Sequence, residues 1–387
     1  PLGFTVSLVK EPPMTLWGQE TVLPALVRQG RGEKNDLLPR CTAWGNHGLL
    51  VHGASLRENG GLKALQDSCP SEVQVRYWEH AGGEPTVEQV DDLREAAHDH
   101  GATWIAAVGG GSVLDLGKAC AGLALAPQPT AAYHAAGPPE TPALPFAAVP
   151  TTAGTGSEAT KVAVLTNPLT GVKKALRRQE MLARLVILDA DCLKGAPAES
   201  MRNAGFDALT QALESLMSTG ATWFTTQLAG QGLALLAESL EAALADTGSE
   251  AAEQLLLGSF LTGMAFANSR LGVVHGLAHP LGARFSIPHG HVCGLCLPLA
   301  LEFNREAAPK GLQTAKEALG GKDALAFVRA LADRLTLDNP LQGKTISDAG
   351  PFIDEVLASG STAHNPRPVS AEDVRFLVRA LGLTING

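Results

Sequence analysis

The sequence predicts an N-terminal α/β half built on a doubly wound, mostly parallel sheet, followed by an all-α C-terminal half. Three observations carry this expectation. Short apolar strand patterns alternate with helical ones as far as Leu188, as they do when crossover helices join parallel strands. Beyond Pro197 only helical periodicity remains. At 387 residues the chain also exceeds what one hydrophobic core normally supports. The boundary is placed near 195, giving units 1–195 and 196–387.

Taken in order, Thr5 to Val9 reads as an edge strand, Ala25 to Gln29 as the close of a helical pattern, and residues 30–47 as a turn-rich surface loop. Leu49 to His52 is a buried strand closed by Gly53 and a polar turn over 54–61. Val73 to Glu79 alternates as a strand. Thr86 and Gln89 have capping-box spacing for a helix to His100, which Gly101 stops. Further strands are expected at Trp104–Val108, Ala143–Val149, Lys161–Leu165 and Leu185–Leu188, with a helix at Val113–Leu123. Helical patterns then cover Ser200–Met217, Trp223–Ala245, Glu250–Ala267, Leu271–Gly282, Val292–Phe303 and Ala324–Leu335. Ser370 to Asp373 caps a last helix, Val374–Leu381.

Hydrophobic residues make up 45% of the chain and charged ones 18%, with a net charge of −9. No basic block offsets that charge, which argues against nucleic acid or anionic membrane as partners. Of six cysteines only Cys293 and Cys296 form a Cys-x-x-Cys pair, and no second pair completes a zinc ribbon. Both fall on an apolar helix and are expected to be buried thiols. The start of the chain lacks a basic, then apolar, signal segment, and uncharged stretches such as Leu255–Asn268 are too short or broken to span a bilayer. The expectation is a soluble, cytoplasmic protein with reduced cysteines.

Gly109, Gly110, Gly111 and Ser112 lie between a buried strand and a helix. Successive glycines let backbone amides approach an anion, and a helix N-terminus adds a favourable dipole. A second polar, glycine-rich loop, Pro150 to Glu158, also follows an apolar strand; two such loops in one sheet point to a dinucleotide. Asp207 and Gln211 share a helix face at i and i+4, as do His275 and His279. With His289 and His291, four histidines fall within Leu271–His291. Imidazoles from separate elements plus a carboxylate suit a divalent metal or acid–base work.

The motifs GGGSVLDLGKA (109–119), PTTAGTGSEAT (150–160), DALTQALES (207–215), VHGLAHPLG (274–282) and IPHGH (287–291), in that order, resemble the iron-containing, or group III, alcohol dehydrogenase family. The resemblance implies an N-terminal dinucleotide-binding domain, a helical domain, and a cleft between them, in an enzyme interconverting a primary alcohol and an aldehyde. It implies metal ligands at Asp207, Gln211, His275 and His289, with Gln211 standing where the family usually has histidine, for Fe²⁺ or Zn²⁺. His279 would relay the proton. Gly53, Ser55, Gly109, Gly110, Gly111, Ser112, Asp115, Thr151, Thr152, Thr155, Ser157 and Lys173 would hold the cofactor. Family members preferring NAD tend to carry an acidic residue where Gly53 stands, so Gly53, Ser55 and Arg57 lean towards NADP over NAD. Arg270 replaces a glycine common in simpler members, and its guanidinium could fork onto an anionic aldehyde, a carboxylate or phosphonate. A homodimer is expected. The alternatives are a lyase or cyclase of the dehydroquinate synthase type, or a cofactor-binding protein that has lost metal-dependent catalysis.

Overall fold

A computed structural model describes residues 15–18 and 20–386, so the strand expected at Thr5–Val9 lies outside the described residues. Among the described residues eight strands occupy the first half: β1 (Val27–Gln29), β2 (His47–Gly53), β3 (Gln74–His80), β4 (Trp104–Gly109), β5 (Phe146–Pro150), β6 (Val162–Asn167), β7 (Val172–Arg177) and β8 (Leu185–Leu188). Six form one wholly parallel sheet in the order β1-β8-β5-β4-β2-β3. The order reverses at β2, so the crevice between the carboxyl ends of β2 and β4 is the topological switch point, where open α/β sheets take ligands. The remaining two, β6 and β7, make a separate antiparallel hairpin.

Period-two alternation puts each parallel strand's side chains into two cores. Ile105 and Ala107 of β4 join Leu93, Leu116 and Phe146 on one face. Trp104, Ala106 and Val108 join Leu37, Leu38 and Leu50 on the other. The capping box at Thr86 and Gln89 forms in both directions and opens the helix Val87–Asp99. Gly101 follows it at φ +63°, a conformation that suits glycine.

Four differences from the sequence expectation share a cause: short or exposed elements leave little periodicity. Residues 27–29 of the supposed helical close pair with β8 as β1. The supposed surface loop over 30–47 contains short helical turns that bury Leu37, Leu38 and Cys41 under the sheet. The polar turn over 54–61 holds a helix, Ala54–Glu58, and the start of another, Gly61–Asp67. β7 was not anticipated, because Lys173, Lys174 and Arg177 hide its alternation.

The second half carries the helices Ala198–Met217, Trp223–Ala245, Glu250–Ser269, Val273–Phe285, His289–Asn304 and Ala324–Arg334, followed by Ala371–Ala380 behind a formed capping box at Ser370. Two helices were not expected, Pro309–Ala318 and Ala349–Ala358. Nor is this half purely helical, since Thr345–Ile346 and Thr384–Ile385 pair as a short parallel ladder. One apolar cluster runs from Leu49 and Phe146 in the sheet layer to Phe206 and Leu255 among the helices. Among the described residues no helix is long and apolar enough to cross a membrane.

Candidate active site

A cleft of about 700 Å³ opens between the strand ends and the helices, with Ser112, Lys173, Arg177, Asp207, Arg270 and His279 on its walls. On the sheet side, helix Gly111–Leu123 starts directly after β4 with Gly110 as an extended N-cap and no side-chain hydrogen bond to its first amides. Those orphan N–H groups and the helix dipole make an anion cradle. A Cβ on Gly111 would lie 2.8 Å from Thr155 Cγ2, so only glycine lets this turn sit against the second loop. That geometry fits a dinucleotide pyrophosphate.

Gly111, Ser112, Asp115, Thr155, Ser157 and Lys173 line the cleft. Gly53, Ser55, Gly109, Gly110, Thr151 and Thr152 stand at or next to the strand ends behind them rather than on that wall. Asp115 is spent internally: its carboxylate accepts from Ser157 Oγ at 2.6 Å and from the Val164 amide at 2.9 Å. Beneath it Lys118, fully buried, donates to Ser157 O, Ser157 Oγ, Thr160 Oγ1 and Val162 O at 2.6–3.0 Å. Burial brings the Lys118 ammonium down to about 8, against the pull of Asp115 and Glu158. This knot fixes the second loop to the first helix turn. Arg57 does not wait for a phosphate, because Glu79 already accepts from it at 2.7 and 3.2 Å. The lean towards NADP then rests on Gly53 and Ser55 alone.

On the helical side the geometry begins with Glu214. One of its oxygens accepts from the Val274 amide at 2.7 Å, and the Asn365 side chain accepts from Val273. Together they satisfy the open N-terminus of helix Val273–Phe285, which lacks a cap from its own N-cap residue, Gly272. The other Glu214 oxygen accepts from His275 Nδ1 at 2.7 Å, turning Nε2 towards Asp207 Oδ1, 3.3 Å away. Such a carboxylate behind an imidazole sets tautomer and direction in metal sites. His289 arrives from the first turn of helix His289–Asn304, its Nε2 3.7 Å from the same Asp207 oxygen. Gly290 permits that approach, since a Cβ there would collide with the Asn203 carbonyl.

Burial opposes protonation of His275, but hydrogen bonds to Asp207 and Glu214 and their charges override it and hold the imidazole up at about 9. Asp207 stays below the usual carboxylate range despite its burial, through His275 and His289. His289 is brought down to about 4 by burial and by the charges of His275 and Lys173, against Asp207. The donor atoms of Asp207, His275, His289 and Cys293 lie within 4.8 Å of one another. Gln211 Oε1 is buried without a hydrogen-bond partner. Once His275 gives up its proton, these converging donors, with an orphaned acceptor beside them, fit a divalent cation.

His279 stacks on His289 with ring centroids 4.6 Å apart, and its buried Nδ1 has no partner. Burial, then His289, Lys173 and His275, hold it well below the ordinary histidine range. His291 turns away, its Nε2 lying 2.8 Å from the Asp338 carbonyl, which is a structural contact. Arg270 closes helix Glu250–Ser269 at φ 70°, ψ −178°, a region nearly exclusive to glycine that costs an arginine about 1–3 kcal/mol. Arg177 of β7 also lines the cleft, held below its ordinary range by burial and by the like charge of Arg270. Among the described residues neither guanidinium makes a direct hydrogen bond or salt bridge, and the nearest charge that Arg270 acts on is the Glu20 carboxylate, which it helps to hold below the usual carboxylate range.

Glu214, Arg177 and Cys293 are absent from the sequence-derived site. Glu214 continues the stripe of Asp207 and Gln211 at i+7, a signal that was there to be used. Cys293 is one turn from His289, a relation that shows only once the helix is known to begin at His289. Arg177 had no local signal.

A parallel sheet with a phosphate cradle at its switch point, facing a carboxylate–histidine cluster on helices, defines a dinucleotide-dependent, metal-assisted class of enzyme. Comparison with known proteins narrows this. Residues 24–190 match the model of the family described as iron-containing alcohol dehydrogenase, and residues 201–382 that of the Fe-containing alcohol dehydrogenase family, C-terminal. The chain belongs to the iron-containing alcohol dehydrogenase family and is an oxidoreductase of the alcohol–aldehyde class. It is 34% identical over 380 residues to the probable alcohol dehydrogenase EutG of Escherichia coli K12, covering 95% of this chain and 93% of the relative. It is 31% identical over 281 residues to a sulfoacetaldehyde reductase of Bilophila wadsworthia, covering 72% and 73%. The crystal structure of sulfoacetaldehyde reductase from Bifidobacterium kashiwanohense in complex with NAD+ superposes with a TM-score of 0.88 at 27% identity, covering 95% of this chain and 99% of the other.

Proposed function

We propose that the chain interconverts a small anionic aldehyde and its primary alcohol with a nicotinamide dinucleotide, in a cleft whose divalent cation is held by Asp207, His275 and His289. The observation that carries the substrate class is Arg270. A glycine would occupy its backbone conformation without strain, yet the position spends stability to hold a guanidinium beside Arg177 on the cleft wall. Relatives named sulfoacetaldehyde reductase support the same reading.

When bound, the cation polarises the carbonyl as a Lewis acid and the dinucleotide supplies or accepts the hydride. The chain's residues do the rest. The uncapped amides at Gly111 and Ser112 hold the pyrophosphate, and Arg177 and Arg270 take the substrate's anionic end. Glu214 keeps His275 from rotating. His279, neutral because burial depresses it, accepts the hydroxyl proton during alcohol oxidation and returns it during reduction. We read residues 1–195 as the dinucleotide unit and 196–387 as the metal and substrate unit. The working form is taken to be a cytoplasmic homodimer. The lyase alternative gives way to the family assignment, and an inert cofactor binder would not need two guanidinia on the cleft wall.

The test compares kcat/KM for a sulfonate- or carboxylate-bearing aldehyde with that for a neutral aldehyde of equal length. Arg270→Ala and Arg177→Ala should each lower the anionic-to-neutral ratio by about tenfold, the size of one charge-assisted hydrogen bond. A ratio unchanged in both variants sinks the anionic assignment.

A further inference from the structure

Cys293 is packed in the apolar core, yet its sulfur faces a carboxylate and two imidazoles. It sits one helical turn beyond His289, fully buried, with Sγ 3.5 Å from His289 Nε2. That sulfur belongs to the same group of donor atoms, all within 4.8 Å, as Asp207, His275 and His289. Cys296, three residues further along, is equally buried but lies outside the group. A second observation points to the same place: Gln211, 3% exposed and one turn from Asp207 on its helix face, has an Oε1 without any hydrogen-bond partner. A buried lone pair left open beside a carboxylate and two imidazoles is met by a bound cation or by a water that the cation carries.

We propose that Cys293 is a donor to the bound cation, making the site an Asp–His–His–Cys set in which sulfur, and not the Gln211 amide, is the strong fourth ligand. This rests on the metal-assisted reading above. A thiolate is softer than an amide oxygen and shifts the set from iron or manganese towards zinc and cobalt. On binding, the Cys293 S–H releases its proton to solvent, an S–metal bond forms, and no electron moves. Gln211 is left to orient Asp207, to which it is hydrogen-bonded.

Cobalt(II) reads the proposal directly, because a thiolate ligand adds a near-ultraviolet sulfur-to-cobalt charge-transfer band that oxygen and nitrogen donors do not give. The full chain, stripped with a chelator and loaded with one equivalent of Co²⁺, should show that band. Cys293→Ala should lose it and bind Zn²⁺ at least about tenfold more weakly, a loss that outer-shell changes alone can reach. Cys296→Ser and Gln211→Ala should both keep the band. The wild-type spectrum decides even if a variant fails to fold. Cobalt bound without the band overturns the role of Cys293 and leaves the three-donor site standing. No cobalt bound at all overturns both the site and this inference. A band lost in Cys296→Ser but kept in Cys293→Ala would also refute it.

Discussion

The two walls of the cleft are built on opposite plans. On the sheet side the ionisable groups beside the first helix turn are consumed by the scaffold: Lys118 is surrounded by four acceptors, and both Asp115 oxygens are taken. What remains for a ligand at that helix start is backbone, namely the uncapped amides after Gly110, with Lys173 and Arg177 reaching the cleft from the neighbouring hairpin. On the helical side the backbone is closed off, with Glu214 and Asn365 capping helix Val273–Phe285. What remains there is side chain: Asp207, the imidazoles and Gln211 Oε1. A shared cofactor part can be met by amides whose position the fold dictates. A cation and a particular substrate need side chains, and those can change without changing the fold.

Substitutions on the two walls should therefore fail differently. The largest loss is expected at Asp207→Ala, which removes the oxygen that both imidazoles face. Turnover should drop by at least about 10³-fold, the several kcal/mol that a Lewis acid contributes, and metal content by elemental analysis should fall with it. Dinucleotide affinity should hold. If turnover fell while metal stayed bound, the helical wall would not be the cation's seat.

On the sheet wall the mirror experiment is Gly111→Ala. Its Cβ would press on Thr155, whereas Gly110→Ala meets Thr152 only at 3.5 Å, ordinary contact. Gly111→Ala should weaken NADH binding, followed by fluorescence, about tenfold, and Gly110→Ala much less. Equal effects would mean that the close fit at Gly111 does not shape the cradle.

A smaller effect concerns protons. In the cation-free protein His275 keeps its proton up to about 9 and burial holds the Cys293 thiol higher still, so a cation must displace both, and affinity should keep rising with pH through 9. Calorimetry at pH 7.5 in two buffers of different ionisation heat should count about two protons released per Zn²⁺, and about one in Cys293→Ser. His275 is raised above its unfolded value of 6.5, so its contribution to stability is full below pH 6.5 and is lost as pH climbs through 9.

The smallest expected change is a gain. Arg270→Gly relieves about 1–3 kcal/mol of backbone strain but frees the unfolded chain by up to about 1 kcal/mol. The net should be a stabilisation of about 1 kcal/mol by denaturant titration, alongside lost preference for anionic aldehydes.

Long elements were legible in the sequence because their periodicity is long. Helix Trp223–Ala245 ends where its pattern ends, and the capping boxes at Thr86 and Ser370 form as their spacing requires. The cradle loops were visible as glycines flanked by strand and helix. What escaped depended on three-dimensional proximity. Leu37 and Leu38 lie in turns too short to show a period, yet they cover one face of the sheet. Arg177 sits on a hairpin strand whose lysines mask it, and it meets Arg270 only through the fold. Placing the start of helix His289–Asn304 at Val292 was enough to conceal Cys293.

Arginine and glycine codons differ by a single base, and at position 270 that step would raise stability. Proteins ordinarily hold little stability in reserve, so drift alone would favour glycine there. The φ of 70° at Arg270 therefore makes this position a one-step evolutionary toggle. If Arg270 reads substrate charge as proposed above, that preference is lost in one mutation with a more robust fold as its side effect, while regaining it means accepting strain before any catalytic advantage returns.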